Sequence, residues 1–131
     1  MVWPKQVKGP RTVDAPCFTS DYFPTILDAL DLDLPTDRVY DGVSLLPFIS
    51  GQKTERSKPL GFLNKDGKEA VWMEQEYKLI ATAQESRLYN IVKDPSEKKN
   101  LAIDLPEVTQ RMMADLLSWK SAVLAELKKV P

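Results

Sequence analysis

The chain offers few side chains that could carry out catalysis, because its 131 residues include no histidine and a single cysteine. Without imidazole, a Ser-His-Asp triad, a histidine metal site and histidine acid–base chemistry are all excluded. The lone thiol of Cys17 excludes an intramolecular disulfide and a multi-cysteine zinc site. No basic side chain stands next to Cys17 to activate it as a nucleophile, so we interpret it as a small, semi-buried loop residue.

A run of aspartates is the one candidate for a metal site. A calcium-binding EF-hand loop places oxygen ligands at alternate positions and then requires a glycine. Here Pro35 takes the third ligand position and no glycine follows it. Because aspartate favours turns, we interpret all five as solvated turn residues: Asp28, Asp31, Asp33, Asp37 and Asp41. The sequence thus predicts no catalytic, cofactor-binding or metal-binding residue in this chain.

Four aromatic residues could form a stacking platform for sugars or bases, namely Trp72, Tyr77, Tyr89 and Trp119. Aromatics at strand and helix spacing more often belong to a core, and we favour that interpretation. The net charge of −1 argues against nucleic acid as a partner, because nucleic-acid binders carry a basic excess. No apolar run approaches the ~18 residues of a membrane helix, so we expect no membrane partner.

Two helical segments are predicted in the first half of the chain. Apolar residues at helical spacing indicate a helix over residues 20–30, which Ser20 or Asp21 can cap. If Asp21 is the cap, Pro24 falls at the third helical position, where its missing N–H costs no hydrogen bond. Ser44 can cap a second, short helix at residues 45–49. Residues 52–59 are polar, and we expect them to be exposed and to contain a boundary between two parts of the chain.

The second half predicts a sheet followed by one long helix. Alternating residues indicate four strands within residues 60–91, and the segment Lys65–Gly67 is typical of a hairpin turn. Apolar residues then recur with a mean spacing near 3.6, which is the period of a helix: Leu105, Val108, Met112, Leu116, Trp119, Val123, Leu127 and Val130. We predict an α+β fold, in which a four-stranded antiparallel sheet is covered by a long C-terminal helix and preceded by a loop–helix segment.

Several short motifs, in this order, resemble the C-terminal part of the sulfatase family, the arylsulfatase-like enzymes of the alkaline-phosphatase superfamily. The matching pieces are VWP at 2–4, DAP at 14–16, SDYFPTILD at 20–28, DGVSLLP at 41–47, EYKLI at 76–80, LYNI at 88–91, DPSE at 94–97 and NLA at 100–102. They run through nearly the whole chain. The resemblance implies that Met1 lies inside a longer protein, that residues 1–56 end its catalytic α/β domain and that residues 57–131 form its C-terminal subdomain.

The resemblance implies a parent enzyme that hydrolyses sulfate esters of carbohydrates or small aryl compounds. In that family, a formylglycine is made from a C/S-x-P-x-R motif and a divalent cation, calcium or magnesium, is bound nearby. Neither belongs to this chain: the segment CFTSD at 17–21 lacks the proline and arginine, and SKPLG at 57–61 has glycine where arginine is required. We therefore expect a non-catalytic fragment that supports the catalytic domain and one rim of its substrate cleft.

Three further expectations follow. The missing N-terminal catalytic domain is the expected partner, and in its absence residues 18–50 are expected to self-associate through an apolar face. The resemblance implies a parent that is secreted, periplasmic or lysosomal. The alternatives are a stand-alone carbohydrate-binding or interaction module that uses the aromatics of the sheet, and a related phosphatase or phosphodiesterase.

Overall fold

The computed structural model describes residues 7, 9–10 and 12–128, and the chain divides into two compact units, Met1–Lys58 and Pro59–Pro131. The VWP motif at residues 2–4 lies outside the described residues, as does Val130 at the end of the predicted helical stripe.

The first unit contains a 3-10 turn (Thr19–Asp21) that leads into helix α1 (Tyr22–Ala29), and a short helix α2 (Leu46–Ile49). As predicted, Pro24 occupies the third position of α1, where its missing N–H costs no intrahelical hydrogen bond. Helix α1 ends where Asp31 adopts a left-handed conformation with φ of 55°, which aspartate tolerates better than most residues.

The two faces of α1 differ in exposure. Pro24 and Thr25 are buried, whereas one apolar set is exposed, and we call it the α1 face: Tyr22, Phe23, Ile26 and Leu30. Phe48, which also lies in the segment 18–50, is only 4% exposed. Leu27 is half-buried.

The second unit begins with the predicted antiparallel sheet, whose strands lie in the order β1-β2-β3-β4. They are β1 (Leu60–Leu63), β2 (Ala70–Glu74), β3 (Tyr77–Ala81) and β4 (Ser86–Asn90). The predicted hairpin turn joins β1 to β2, and Gly67 supplies the left-handed conformation it needs, with φ of 70°. Strand pairing follows sequence order, which is a meander.

Side chains of alternate residues share one face of the sheet, and this face forms the core. It carries the buried residues Ala70, Trp72, Leu79, Ala81 and Leu88. The opposite face of the sheet is also rich in apolar side chains: Leu60, Phe62, Val71, Met73, Ile80 and Tyr89. A sheet that is apolar on both faces is typical of a layer that lies between two others.

Helix α3 (Pro106–Leu127) covers the core face and contacts β1, β2 and β3. Met112 and Leu116 are almost fully buried there. The prediction that Trp119 lies against the sheet is confirmed: its ring is 5.8 Å from that of Trp72 and rests on Gly61, although it is half-buried rather than fully buried.

The predicted stripe of α3 is only partly used. Leu127 is 60% exposed, so the stripe stops making buried contacts after Val123. A helix of 22 residues is about 33 Å long, whereas four strands span about 14 Å between the outer two, so the helix extends past the sheet. No helix in the described part of the chain combines the length and the apolar character needed to cross a bilayer.

Candidate functional site

The structure does not bring together Cys17 and the aspartates, the residues considered above as candidates for a nucleophile or a metal site. Cys17 is exposed, not semi-buried as expected, because it lies in the open segment before the 3-10 turn. Asp31, Asp33, Asp37 and Asp41 are exposed, as interpreted, and lie in turns or irregular segments. Asp28 is exposed too, but the interpretation of it as a turn residue is wrong, because it lies within helix α1. Among the residues that the structure describes, no three His, Cys, Asp or Glu side chains are grouped so that they could hold a metal ion.

The aromatic residues do not form an open platform either. Trp72 is 7% exposed and Tyr89 is 6% exposed, and the ring of Trp119 lies against that of Trp72. Tyr77 is half-buried against the same core as Trp72, whereas Tyr89 lies on the opposite face of the sheet, so the four rings do not form one surface.

The most constrained polar group of the first unit is the carboxylate of Asp21, which is fully buried. The guanidinium of Arg56 donates two parallel hydrogen bonds to it, with Nη1 at 2.8 Å from Oδ2 and Nη2 at 2.7 Å from Oδ1. The Arg56 side chain is only 3% exposed. The expectation that residues 52–59 are all exposed is therefore wrong at Arg56, because the buried carboxylate draws this side chain inward.

Two backbone groups complete the environment of Asp21. The N–H of Phe18 donates to Oδ2 at 2.8 Å, and the N–H of Val43 donates to Oδ1 at 2.9 Å. Burial raises the pKa of Asp21, but the hydrogen bonds from Arg56, Val43 and Phe18 outweigh burial and hold this pKa below its usual value. The carboxylate is thus ionised and saturated with donors. Asp21, one of the two residues predicted to cap α1, occupies the cap position, but its side chain makes no capping bond to that helix.

Two further side chains, both on α1, bind the segment of residues 43–45 that also contacts Asp21. The hydroxyl of Thr25 accepts a hydrogen bond from the N–H of Leu45 at 2.9 Å, and Asp28 accepts one from the hydroxyl of Ser44. A Cβ atom at Gly42 would lie 2.0 Å from the carbonyl oxygen of Ser20, so only glycine fits there. We call Asp21, Thr25, Asp28 and Arg56 the Asp21 cluster. It joins the SDYFPTILD motif to the DGVSLLP motif.

The motifs of the second unit are joined in the same way. Lys78 of the EYKLI motif contacts Glu97 of the DPSE motif, with 2.6 Å between Nζ and Oε1. The side chain of Asn100 accepts hydrogen bonds from the N–H groups of Leu88 and Ala102, both at 3.0 Å. The side-chain nitrogen of Asn90 donates to Glu76 at 2.6 Å.

These contacts indicate what the motif residues do. Asp21, Lys78 and Asn100 each bind a partner within the same chain. Sequence reasoning identified Asp21 and missed Arg56, its partner 35 residues away, because no local spacing links the two. The only sequence signal was the presence of an arginine within the polar segment of residues 52–59.

Known proteins that the chain resembles include several sulfatases. No protein-family model matches it. It is 36% identical to human steryl-sulfatase over 55 residues, which are 42% of this chain and 9% of that enzyme. It is 28% identical over 95 residues to the Delta 4,5-hexuronate-2-O-sulfatase of Bacteroides thetaiotaomicron, covering 66% of this chain and 19% of that enzyme. The chain is similar to sulfatases.

Solved sulfatase structures share the fold of the chain. A 2-O GAG sulfatase matches 85% of it with a TM-score of 0.61 and 21% identity, over 26% of that sulfatase. The described residues do not fit the cofactors of a sulfatase: the described residues hold no metal-ligating cluster, and the sequence has no C/S-x-P-x-R motif. The chain thus spans about a tenth to a fifth of the curated sulfatases that it matches.

Proposed function

We propose that the chain is the non-catalytic C-terminal portion of a sulfatase, a sulfuric ester hydrolase that acts on sulfated carbohydrate or aryl sulfate. Its role is to support a catalytic domain that the rest of the protein supplies. The carrying observation is that described residues of the sulfatase-like motifs make contacts that join distant parts of their own unit, at the Asp21 cluster and at the Lys78–Glu97 pair.

The α1 face supports this role. Ile26 is 57% exposed, Tyr22 62% and Leu30 63%, and they follow one another at intervals of four residues along one side of α1. An apolar stripe at this spacing normally lies against another element. We assign it to the rest of the catalytic domain, because 74% or more of each compared sulfatase lies outside the matched part. In the same proposal, this chain also contributes to one rim of the substrate cleft.

The formylglycine and the divalent cation, calcium or magnesium, belong in this proposal to the missing domain. In that domain, the formylglycine would supply the nucleophile, and the bound cation would stabilise charge during cleavage of the sulfate ester. This chain contributes no ligand to them. The whole protein is assigned to a secreted, periplasmic or lysosomal setting on the same basis.

An assay of the purified 131-residue chain with a chromogenic aryl sulfate tests the proposal. We expect no turnover above the buffer blank, with or without calcium or magnesium. The coding sequence upstream of Met1 is to be determined in parallel, and we expect a C/S-x-P-x-R motif in it. Turnover that follows the purified chain, or a reading frame that begins at Met1 and lacks the motif, would overturn the proposal.

A further inference from the structure

We infer that the second unit contains a binding site for a small organic anion, at the end of the sheet where the β1–β2 and β3–β4 turns meet α3. A cavity of about 380 Å³ lies there. This volume falls in the range of small-molecule sites, which are apolar concavities with a few polar groups at the rim. The inference does not depend on the proposed function, since the cavity belongs to this unit alone.

The floor of the cavity exists because of two small residues. Ala70 and Ala81 are directly opposite each other in the β2–β3 register, and both are buried. Two residues further along the same face, Trp72 and Leu79 form the corresponding pair and fill the space under α3. Two methyl groups cannot do so, and the space above them stays open next to Leu116.

The wall on the helix side remains apolar where it faces solvent. Leu117 is 54% exposed and lines the cavity together with the half-buried Met113. An unbranched methionine adapts to ligands of different shape. An apolar ring or a short chain is the part of a ligand that these surfaces would cover.

The rim carries the charge. The ammonium group of Lys120 is held there by a 2.7 Å hydrogen bond from Nζ to the carbonyl oxygen of Gly67, and an ammonium group has two further donors. Lys68 lines the same rim. Lys68 pairs with Asp66 at 3.4 Å, and the carboxylate of Glu69 lies 3.9 Å from the guanidinium of Arg87, which also lies 3.2 Å from Glu85. No carboxylate in the described part of the chain pairs with Lys120, so its ammonium group favours an anionic group on the ligand.

The test is a titration of the 131-residue chain with 2-naphthoate, followed by amide chemical shifts. We expect saturable shifts confined to residues 67–70, 81–84 and 113–120. The neutral analogue 2-naphthalenemethanol should bind more weakly, because it lacks the charge that the lysines attract. Shifts that do not saturate, or that occur elsewhere in the chain, would overturn the site.

Two substitutions separate the floor from the rim. Lys120→Gln should weaken 2-naphthoate about two- to fivefold, the effect of one partly exposed ion pair, and should leave the neutral analogue unchanged. Ala81→Val should fill the floor and abolish binding of both compounds. Lys98→Gln, an exposed lysine in the segment after β4, is the matched control. If Ala81→Val does not fold, Lys120→Gln decides alone, and equal affinity of this variant and the control contradicts the inference.

Discussion

At the scale of single residues, the ion pair between Asp21 and Arg56 is a buried ion pair of the first unit. Both side chains are buried, and the pair is bidentate. Removing one partner of such a pair leaves an uncompensated charge in the interior, which costs far more than the loss of an exposed pair.

Asp21→Asn should lower the free energy of local opening in the first unit by about 3–5 kcal/mol, since Arg56 stays buried without its counter-ion. Hydrogen exchange at the amides of Val43 and Leu45 measures this opening directly. The control is Asp37→Asn, because Asp37 pairs with Arg38 at the surface. If both variants exchange at the rate of the wild type, the ion pair does not hold the unit together.

The same carboxylate predicts a dependence on pH. The pKa of Asp21 lies below its usual value in the folded chain, so its contribution to stability is complete above the unfolded value near 3.8. The contribution is lost as the pH falls through the lower, folded pKa. Protection of the Val43 amide should therefore persist at pH 4 and disappear under more acidic conditions. In Asp21→Asn this acid-dependent loss should be absent, and its persistence there would contradict the assignment to Asp21.

The limits of sequence reasoning are clearest at this scale. Asp21 was recognisable as a residue of a helix start, because aspartate there has a local function. Its actual partners, Arg56 and the N–H of Val43, come from distant parts of the chain, and only the folded structure brings them to the carboxylate. Charge and spacing cannot predict such a contact, since a buried arginine cannot be distinguished from a surface arginine in the sequence.

At the scale of elements, the pattern of the second unit predicted the fold well. Period-2 alternation and the 3.6-residue stripe are local consequences of strand and helix geometry, so the four strands lie within the expected residues 60–91 and α3 contains most of the predicted stripe. The end of the stripe was not predictable. Whether Leu127 finds a partner depends on the width of the sheet, which the helix sequence does not encode.

Gly61 and Trp119 should be coupled energetically. A Cβ atom at Gly61 would lie 2.5 Å from Cε2 of Trp119, so Gly61→Ala should destabilise the second unit by about 1–3 kcal/mol through overpacking. Trp119→Ala should cost about 3 kcal/mol, the lower end of the range for a large aromatic, because the ring is half-buried.

The double variant tests the contact itself. Without the indole ring the added methyl group has room, so Gly61→Ala should cost much less in the Trp119→Ala background. Urea unfolding of the four proteins, monitored by circular dichroism, measures the coupling. Strictly additive effects would mean that the ring does not rest on Gly61.

At the scale of the whole molecule, the exposed α1 face determines how the 131-residue chain behaves without the rest of the protein. Contiguous apolar surface favours association by about 25 cal/mol per Å² that is covered. Two copies can cover each other's α1 face, so we predict self-association through residues 18–50 at high concentration.

Ile26→Asp combined with Leu30→Asp should shift the chain towards the monomer in sedimentation, because both side chains lie on the exposed side of α1. The matched control is Leu127→Asp, an exposed leucine at the end of α3, which should leave the association unchanged. Circular dichroism should show that helix content is retained in both. A wild-type chain that is monomeric at the highest accessible concentration would contradict this prediction.

The most direct test of the central claim compares three proteins in one sulfatase assay. They are the protein encoded by the complete reading frame that contains these residues, the same protein lacking residue 12 and everything after it, and the 131-residue chain. Each is assayed with an aryl sulfate and added calcium. We predict turnover by the complete protein only, since the missing domain supplies the chemistry and this chain supplies its support. Turnover by the 131-residue chain, or undiminished turnover after the truncation, would contradict the claim.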